Sequence, residues 1–475
     1  MTESANYFFL DIAHIMGDGM TMNIIFEDIN KCYDGQQVEK EEYTFFEYIL
    51  DEKDKDKQGL RKENEQYFKE LMQDFKIKKS ILNRKECFDL TKGHNAVLKE
   101  RFQKLNRKKI TAFCKKYGVS ENVMFLTAFN YCIGIFSNEM DTVSTSIHSG
   151  RTDSRWNRLA GPLFLTYYFR CRRIPHETVP QLLQRSGKQI MDTMRCYISN
   201  LHADEMFFQY QGDILNINQI GGMPAEKVKI QLDSLPFHLQ VMSDEKGYYY
   251  ELRYWENRFD KDQLKIFMIC LETILQAMLE EPSARRLKKY LPENVFPKHY
   301  FIKARDVNLE AGSRLIPNID ENTKVKAYIF DESCRKKPFG AWGSLYIMDC
   351  ETHGYTDKIT NPYGPGILYQ TGKTARILPD GSIDMLEKGG RTIMSEGIAG
   401  RYFLDLHKLE KALLSFNGIE KAEAYIYYGE NNKLILTADI FGSQKPDMEK
   451  VKIHLENYCE KWLIPGEIRF FTAFY

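Results

Sequence analysis

The residue types able to do chemistry come early, in the run Tyr7-Phe8-Phe9-Leu10-Asp11-Ile12-Ala13-His14-Ile15-Met16-Gly17-Asp18-Gly19. Imidazole takes or gives a proton near neutral pH, which makes His14 a candidate general base. Asp18 brings a charge that needs a partner once buried, and Gly19 allows a tight turn. A His-x-x-x-Asp-Gly run placed between an apolar segment and a helix would set the histidine where the chain leaves a sheet.

The elements that must position these residues follow from periodicity. Residues 6–13 read as a buried strand and 20–33 as a helix ended near Gly35. Residues 43–50 are an aromatic-rich helical stretch that continues as a long charged helix to about residue 74. A strand over 95–103 and a helix over 108–117 closed by Gly118 come next. The helix over 120–136 is apolar nearly all round and therefore buried. Strand 142–148 empties into Ser149-Gly150-Arg151, and 159–170 is a second strand-like run. An amphipathic helix over 179–195, strands over 205–211, 237–242 and 248–254, and a helix over 260–279 complete this half. The texture then changes to Gly, Pro and short strands, with Pro379-Asp380-Gly381 as a hairpin turn. From about residue 405 the pattern is helix, strand, strand, helix.

The bulk properties narrow the class. A chain of 475 residues, 43% apolar and 28% charged, can form two or three domains with real cores. With 66 basic and 66 acidic residues there is no field favouring nucleic acid or an anionic membrane as the main partner. The ten cysteines are scattered without a C-x-x-C, so no zinc site is expected and reduced thiols point to a cytoplasmic protein. The longest apolar run, 123–136, is too short and too polar to span a bilayer.

The quoted residues resemble the condensation domains of nonribosomal peptide synthetases, which have the chloramphenicol acetyltransferase fold. Residues 13–19 are similar to the family's H-H-x-x-x-D-G motif, 143–151 to its strand ending in S-G-R, and Gly161-Pro162-Leu163-Phe164-Leu165-Thr166 through Arg170 to its G-x-F-V-N-T segment. Residues 235–254 and the following helix resemble its last strands, so the ordered likeness covers nearly 285 residues. The resemblance implies amide formation between acyl groups carried as thioesters on phosphopantetheine arms of peptidyl or aminoacyl carrier proteins. It makes His14 the group that contacts the attacking amine and Gly19 the backbone N–H facing the thioester carbonyl. Asp18 becomes a structural aspartate, for which Arg151 is the best partner. Two positions depart from the pattern: the family's first histidine is Ala13, and an asparagine is Leu165.

Residues 314–331, 340–346 and 369–385 resemble adenylation domains of the same synthetases, and 390–470 their small C-terminal subdomain. Tyr369-Gln370-Thr371-Gly372-Lys373 stands where that family has Y-R-T-G-D, so a cation replaces the aspartate that grips the ribose. Its Gly-rich phosphate loop is absent, so ATP-dependent activation is not expected.

The expected architecture is therefore α/β: a chloramphenicol acetyltransferase-like condensation lobe at 1–285, a linker at 286–309, a β-rich adenylation-like part at 310–390, and a small α+β subdomain at 391–475. Only thirteen residues precede His14. The expectation is a condensation lobe lacking most of its N-terminal partner lobe, supplied by a separate chain. Two other readings stand beside it: an inactive remnant that only docks carriers or partners, and a stand-alone acyltransferase with a small acceptor. No directly bound cofactor and no metal are expected.

Overall fold

The computed structural model describes residues 8, 10, 12–13, 15–73, 75, 94–195, 206–213, 219–225, 235–284, 287–297, 300–303, 324–348, 358–386, 394–397, 400–403, 406–428, 434–459 and 463–472. The first unit opens with helices α1 (Gly19–Tyr33), α2 (Phe45–Lys57) and α3 (Leu60–Met72). It continues through β1 (Asn95–Arg101), α4 (Arg107–Tyr117), α5 (Glu121–Ser137), β2 (Asp141–His148), β3 (Leu165–Arg172) and α6 (Val179–Arg195). Strands β4 (Phe207–Gly212), β5 (Gln219–Ile220), β6 (Met223–Pro224), β7 (Phe237–Asp244), β8 (Gly247–Trp255) and helix α7 (Lys261–Glu280) close it.

Its main sheet is mixed and six-stranded, in the order β1-β8-β7-β4-β2-β3. The β2–β4 and β4–β7 pairs are parallel and the others antiparallel. Helix α5 is the keystone. Every residue from Val123 to Ser137 is buried, and Phe129 meets Phe208, Phe237 and Phe267 with ring centroids 5.2–6.0 Å apart. Each such ring contributes roughly 1.5–3 kcal/mol by burial. Two buried polar side chains tie the helix to the sheet: Asn130 Nδ2 donates to Ser144 Oγ at 2.7 Å, and Thr142 Oγ1 to the Asn130 carbonyl at 3.3 Å.

The second sheet holds β9 (Tyr300–Lys303), β10 (Lys324–Phe330), β11 (Gly343–Met348), β12 (Lys358–Thr360), β13 (Ile367–Ile377) and β14 (Ile383–Leu386). It runs β12-β13-β11-β10-β9 with β14 added on β13, and every pair is antiparallel. A small two-stranded pair follows, β15 (Met394–Gly397) with β16 (Gly400–Phe403). The last unit comprises α8 (Leu406–Leu414), β17 (Lys421–Tyr428), β18 (Leu434–Gly442), α9 (Met448–Tyr458) and β19 (Glu467–Thr472), with its own apolar core.

Several expectations need correction. None of the described residues among 6–13 is in a strand. Phe8 is half exposed and sets its ring edge against Phe26 of α1. Apolar character alone does not make a strand where no described neighbour offers a ladder. The long charged helix is broken at Gly59, whose φ of +83° ends one helix and starts the next. Residues 159–164 are a loop, because Leu159 and Leu163 leave the sheet to pack with Tyr48 and Trp156. Part of the 286–309 segment, read as a linker, is core: Leu287, Leu291 and Val295 pack in the first unit's main cluster, and β9 pairs with β10. Residues 337–342 then plug the two units together. Trp342 N–H donates to the Phe136 carbonyl at 2.8 Å, Gln263 Nε2 to the Gly340 carbonyl at 3.2 Å, and Ala341 is wholly buried. Strand β19, absent from the sequence reading, lies parallel to β18 across α9, a pairing that local alternation does not reveal.

Candidate active site

The site is assembled where α1 begins. Asp18 is its N-cap, in extended backbone, and forms a capping box with Thr21: the carboxylate accepts from Thr21 N–H at 2.9 Å, and Thr21 Oγ1 accepts from Asp18 N–H at 3.2 Å. Both residues are buried. Asp18 also takes two bonds from the Arg151 guanidinium, Nη1 to Oδ2 at 2.8 Å and Nη2 to Oδ1 at 3.2 Å. The pair is 3% and 4% exposed, so each charge depends on the other. Leu163 N–H adds a further bond to Asp18 Oδ2 at 3.1 Å.

Arg151 spends its remaining Nη protons on the carbonyls of Ser149 at 3.0 Å and Leu159 at 2.8 Å. The pair thus clamps the start of α1, the turn after β2 and the loop before β3. Burial pushes the Asp18 carboxyl upward, but the Arg151 and Thr21 hydrogen bonds outweigh it and hold the group below the usual carboxylate value.

Two glycines fix how closely these loops approach. Gly150 has φ +70°, and a Cβ there would lie 1.6 Å from the Leu163 carbonyl oxygen. At Gly161 a Cβ would strike the Phe45 ring at 2.5 Å, while its N–H donates to Thr21 Oγ1 at 3.0 Å.

Of the residues singled out from the sequence, Asp18 and Arg151 are brought together. Gly19 is the first residue of α1, and its N–H meets no acceptor among the described residues. A helix's first N–H groups have no intrahelical partner and favour negative charge. His14 lies outside the described residues. Ala13, where the motif has its first histidine, is exposed.

Sequence reasoning missed His148, the last residue of β2. It is mostly buried, and burial alone depresses its imidazole to about 4. Its Nδ1 accepts from Gly150 N–H at 3.1 Å, which leaves the proton on Nε2, and that atom has no partner among the described residues. The neutral ring therefore braces the turn that carries Arg151. A histidine closing a buried strand was the available signal. Thr21 was missed because its role emerges only when Gly161 is folded against it.

Among the described residues no group of three or more His, Cys, Asp or Glu side chains is placed to hold a metal. No single described helix is long and apolar enough to cross a membrane. Helices α4 and α5 reach that length only as a pair bent by 98°, and α5 is buried in the core.

A family model described as "Condensation domain" matches residues 1–294. The chain is 30% identical over 158 residues to surfactin synthase subunit 3 of Bacillus subtilis (strain 168), covering 31% of this chain and 12% of that protein. It is 26% identical over 228 residues to gramicidin S synthase 2 of Brevibacillus brevis, covering 44% and 5%. These matches span only a small part of the relatives' lengths. In fold the chain is similar to a four-domain nonribosomal peptide synthetase in its holo form, bound to AMP and glycine. The TM-score is 0.62 at 12% identity, over 98% of this chain and 61% of the other.

Proposed function

Since this chain belongs to the condensation-domain family, we propose that it is a condensation-type acyltransferase of nonribosomal peptide synthesis, forming an amide between two carrier-bound thioesters. The amine nitrogen of the acceptor attacks the donor's thioester carbonyl carbon, the C–N bond forms, and the C–S bond breaks. The proton lost by nitrogen passes to His14 and on to the departing thiolate. The Gly19 N–H, at the head of α1, receives the negative charge that builds on the carbonyl oxygen. The observation that carries this reading is the buried Asp18–Arg151 clamp, which anchors the residues after His14 to two loops far away in sequence.

Phe8, Ile15 and Met16 are 53%, 81% and 68% exposed, an apolar surface beside the site. In this reading that surface is covered by polypeptide supplying the other wall of the tunnel, such as a separate chain. Residues 310–390 and 391–475 are read as adenylation-type parts that no longer activate amino acids. The likeness in fold over 98% of the chain supports the first point, and Lys373 in place of an aspartate supports the second. Carrier proteins are the partners, in the cytoplasm.

The test is amide formation from carrier-loaded thioesters, with the chain alone and with any polypeptide encoded next to it. His14→Ala is expected to abolish product; equal product from wild type and variant rejects the catalytic role. A second reading, an inactive carrier-docking scaffold, is favoured by exposed Ala13 in place of the motif's first histidine. It predicts carrier binding with no product under either condition.

A further inference from the structure

Outside the candidate active site, a cavity of about 650 Å³ lies between the first unit and the second sheet. A smaller one of about 300 Å³ adjoins it, and the two share Lys289, Asp331 and Arg335 in their linings. Those three residues therefore stand where the cavities meet. The larger space falls in the range of small-molecule sites. It lies at the end of β2 opposite Arg151: Met140 lines it, and eight strand residues at about 3.3 Å each separate the two ends by roughly 25 Å.

Three observations give this place a purpose. First, Arg335 is a cation with no acid paired to it among the described residues. Its guanidinium makes no hydrogen bond or ion pair among the described residues, and Nη1 is shut off from solvent. A buried charged donor left unpaired is costly and calls for an acceptor. Lys289, beside it, has no carboxylate partner among the described residues and lies over the Tyr290 ring at 4.6 Å. Of the acids lining the larger cavity, Glu177 pairs with Arg185, and Asp331 has Oδ1 occupied by the N–H groups of Ser333 at 2.7 Å and Arg335 at 3.1 Å; Glu281 and Glu332 make no ion pair with Arg335.

Second, backbone strain gathers here. The positive-φ non-glycine residues among those described are Asn138 at +61°, His176 at +68° and Cys334 at +55°. Asn138 and His176 line the larger cavity, and Cys334 adjoins Arg335 in its wall. Asn138 is the left-handed C-cap of α5, and positive φ at non-glycine residues such as His176 and Cys334 concentrates at ligand sites. Third, the lining of the larger cavity is amphipathic: Met140, Ile174, Leu182 and Leu287 stand there beside polar residues such as His176 and Glu177.

The geometry points to a second binding site at this junction, for a small amphipathic anion whose phosphate or carboxylate head sits on Arg335 and Lys289 and whose apolar body lies along Met140, Ile174 and Leu182. An arginine fork and a lysine ammonium suit either head group. The site is independent of the acyl-transfer chemistry proposed for the other end of β2.

Calorimetric titration of the full chain with octyl phosphate, octanoate, inorganic phosphate and octanol tests this. Octyl phosphate or octanoate is expected to bind, their ratio naming the head group, with each half alone at least tenfold weaker. Arg335→Met and Lys289→Met are each expected to weaken the preferred anion about tenfold or more, the loss expected for one charged hydrogen bond. Arg335→Met should also raise the melting temperature of the ligand-free chain, because a donor shut off from solvent without a partner is gone. Saturable binding unchanged by both substitutions, no binding of either anion at millimolar concentration, or a lower ligand-free melting temperature for Arg335→Met would each overturn the proposal.

Discussion

Asp18–Arg151 in the first unit and Arg376–Asp384 in the second sheet are both buried arginine–aspartate pairs, 4% exposed or less, yet they are built for different ends. The first joins residues 133 apart, and both carboxylate oxygens are fully used by Arg151, Thr21 and Leu163. The second joins residues eight apart on the β13–β14 hairpin, with Arg376 also stacked on Trp342 at 4.3 Å. Its Asp384 Oδ1 has no partner among the described residues. A turn at 379–381 already closes that hairpin, with Gly381 N–H donating to the Leu378 carbonyl at 2.9 Å. The local pair thus adds little that the backbone does not fix, whereas the distant pair alone spans three loops. Each pair leaves one buried atom without a partner among the described residues, Arg151 Nε in the first and Asp384 Oδ1 in the second, so burial and hydrogen bonding say little about role; sequence separation says more.

The comparison breaks most directly at Asp18. Asp18→Asn leaves Arg151 buried without its counter-charge, and urea unfolding is expected to show a loss of about 3–5 kcal/mol. A loss under about 1 kcal/mol would mean that the loops are held by other contacts. Next is Gly150→Ala, which combines a left-handed backbone with a Cβ driven into the Leu163 carbonyl. Its expected cost is about 3 kcal/mol or more, and the turn must shift and carry Arg151 away from Asp18. An unchanged unfolding midpoint would show that the loops tolerate separation.

The hairpin pair gives the opposite sign. The double variant Arg376→Met with Asp384→Leu removes both charges and the orphan oxygen together, so stability is expected to stay level or rise by about 1–4 kcal/mol. A clear loss of stability would give the local pair the same standing as the distant one.

The sequence showed these regions unequally. Helix α5 and strand β2 were legible because a continuous apolar run and a β-branched run have one way to be buried. The Asp18–Arg151 pairing was visible only through resemblance, since nothing local connects residues 133 apart. The hairpin was legible from Pro379-Asp380-Gly381, but its buried pair was not: an arginine within an alternating strand reads as a solvent-facing residue until Trp342 is placed over it. The 286–309 segment misled because charge and proline hid three spaced apolar residues, Leu287, Leu291 and Val295, that belong to the main core.

The smallest effect separates two of the sources of acid sensitivity in the first unit, His148 and Asp18; His238, pushed down to about 3 by burial and by Arg253, is another. His148 titrates near 6.5 when unfolded and, held down by burial, near 4 when folded. Between those values the unfolded chain binds a proton that the folded chain refuses. Stability is therefore full above about pH 6.5 and is lost as pH falls toward 4, at a slope of about 1 kcal/mol per pH unit. Asp18 acts in a different window: its folded value lies below 3.8, so its contribution is present above that value and lost only in stronger acid. His148→Gln should lessen the slope between pH 6.5 and 4 by about 1 kcal/mol per pH unit, the His238 contribution remaining, and Asp18→Asn should instead lessen the fall in stronger acid. If His148→Gln leaves the upper window unchanged, the imidazole is not held neutral in the fold. The turn that aims Arg151 would then be braced by Gly150 and Leu163 alone.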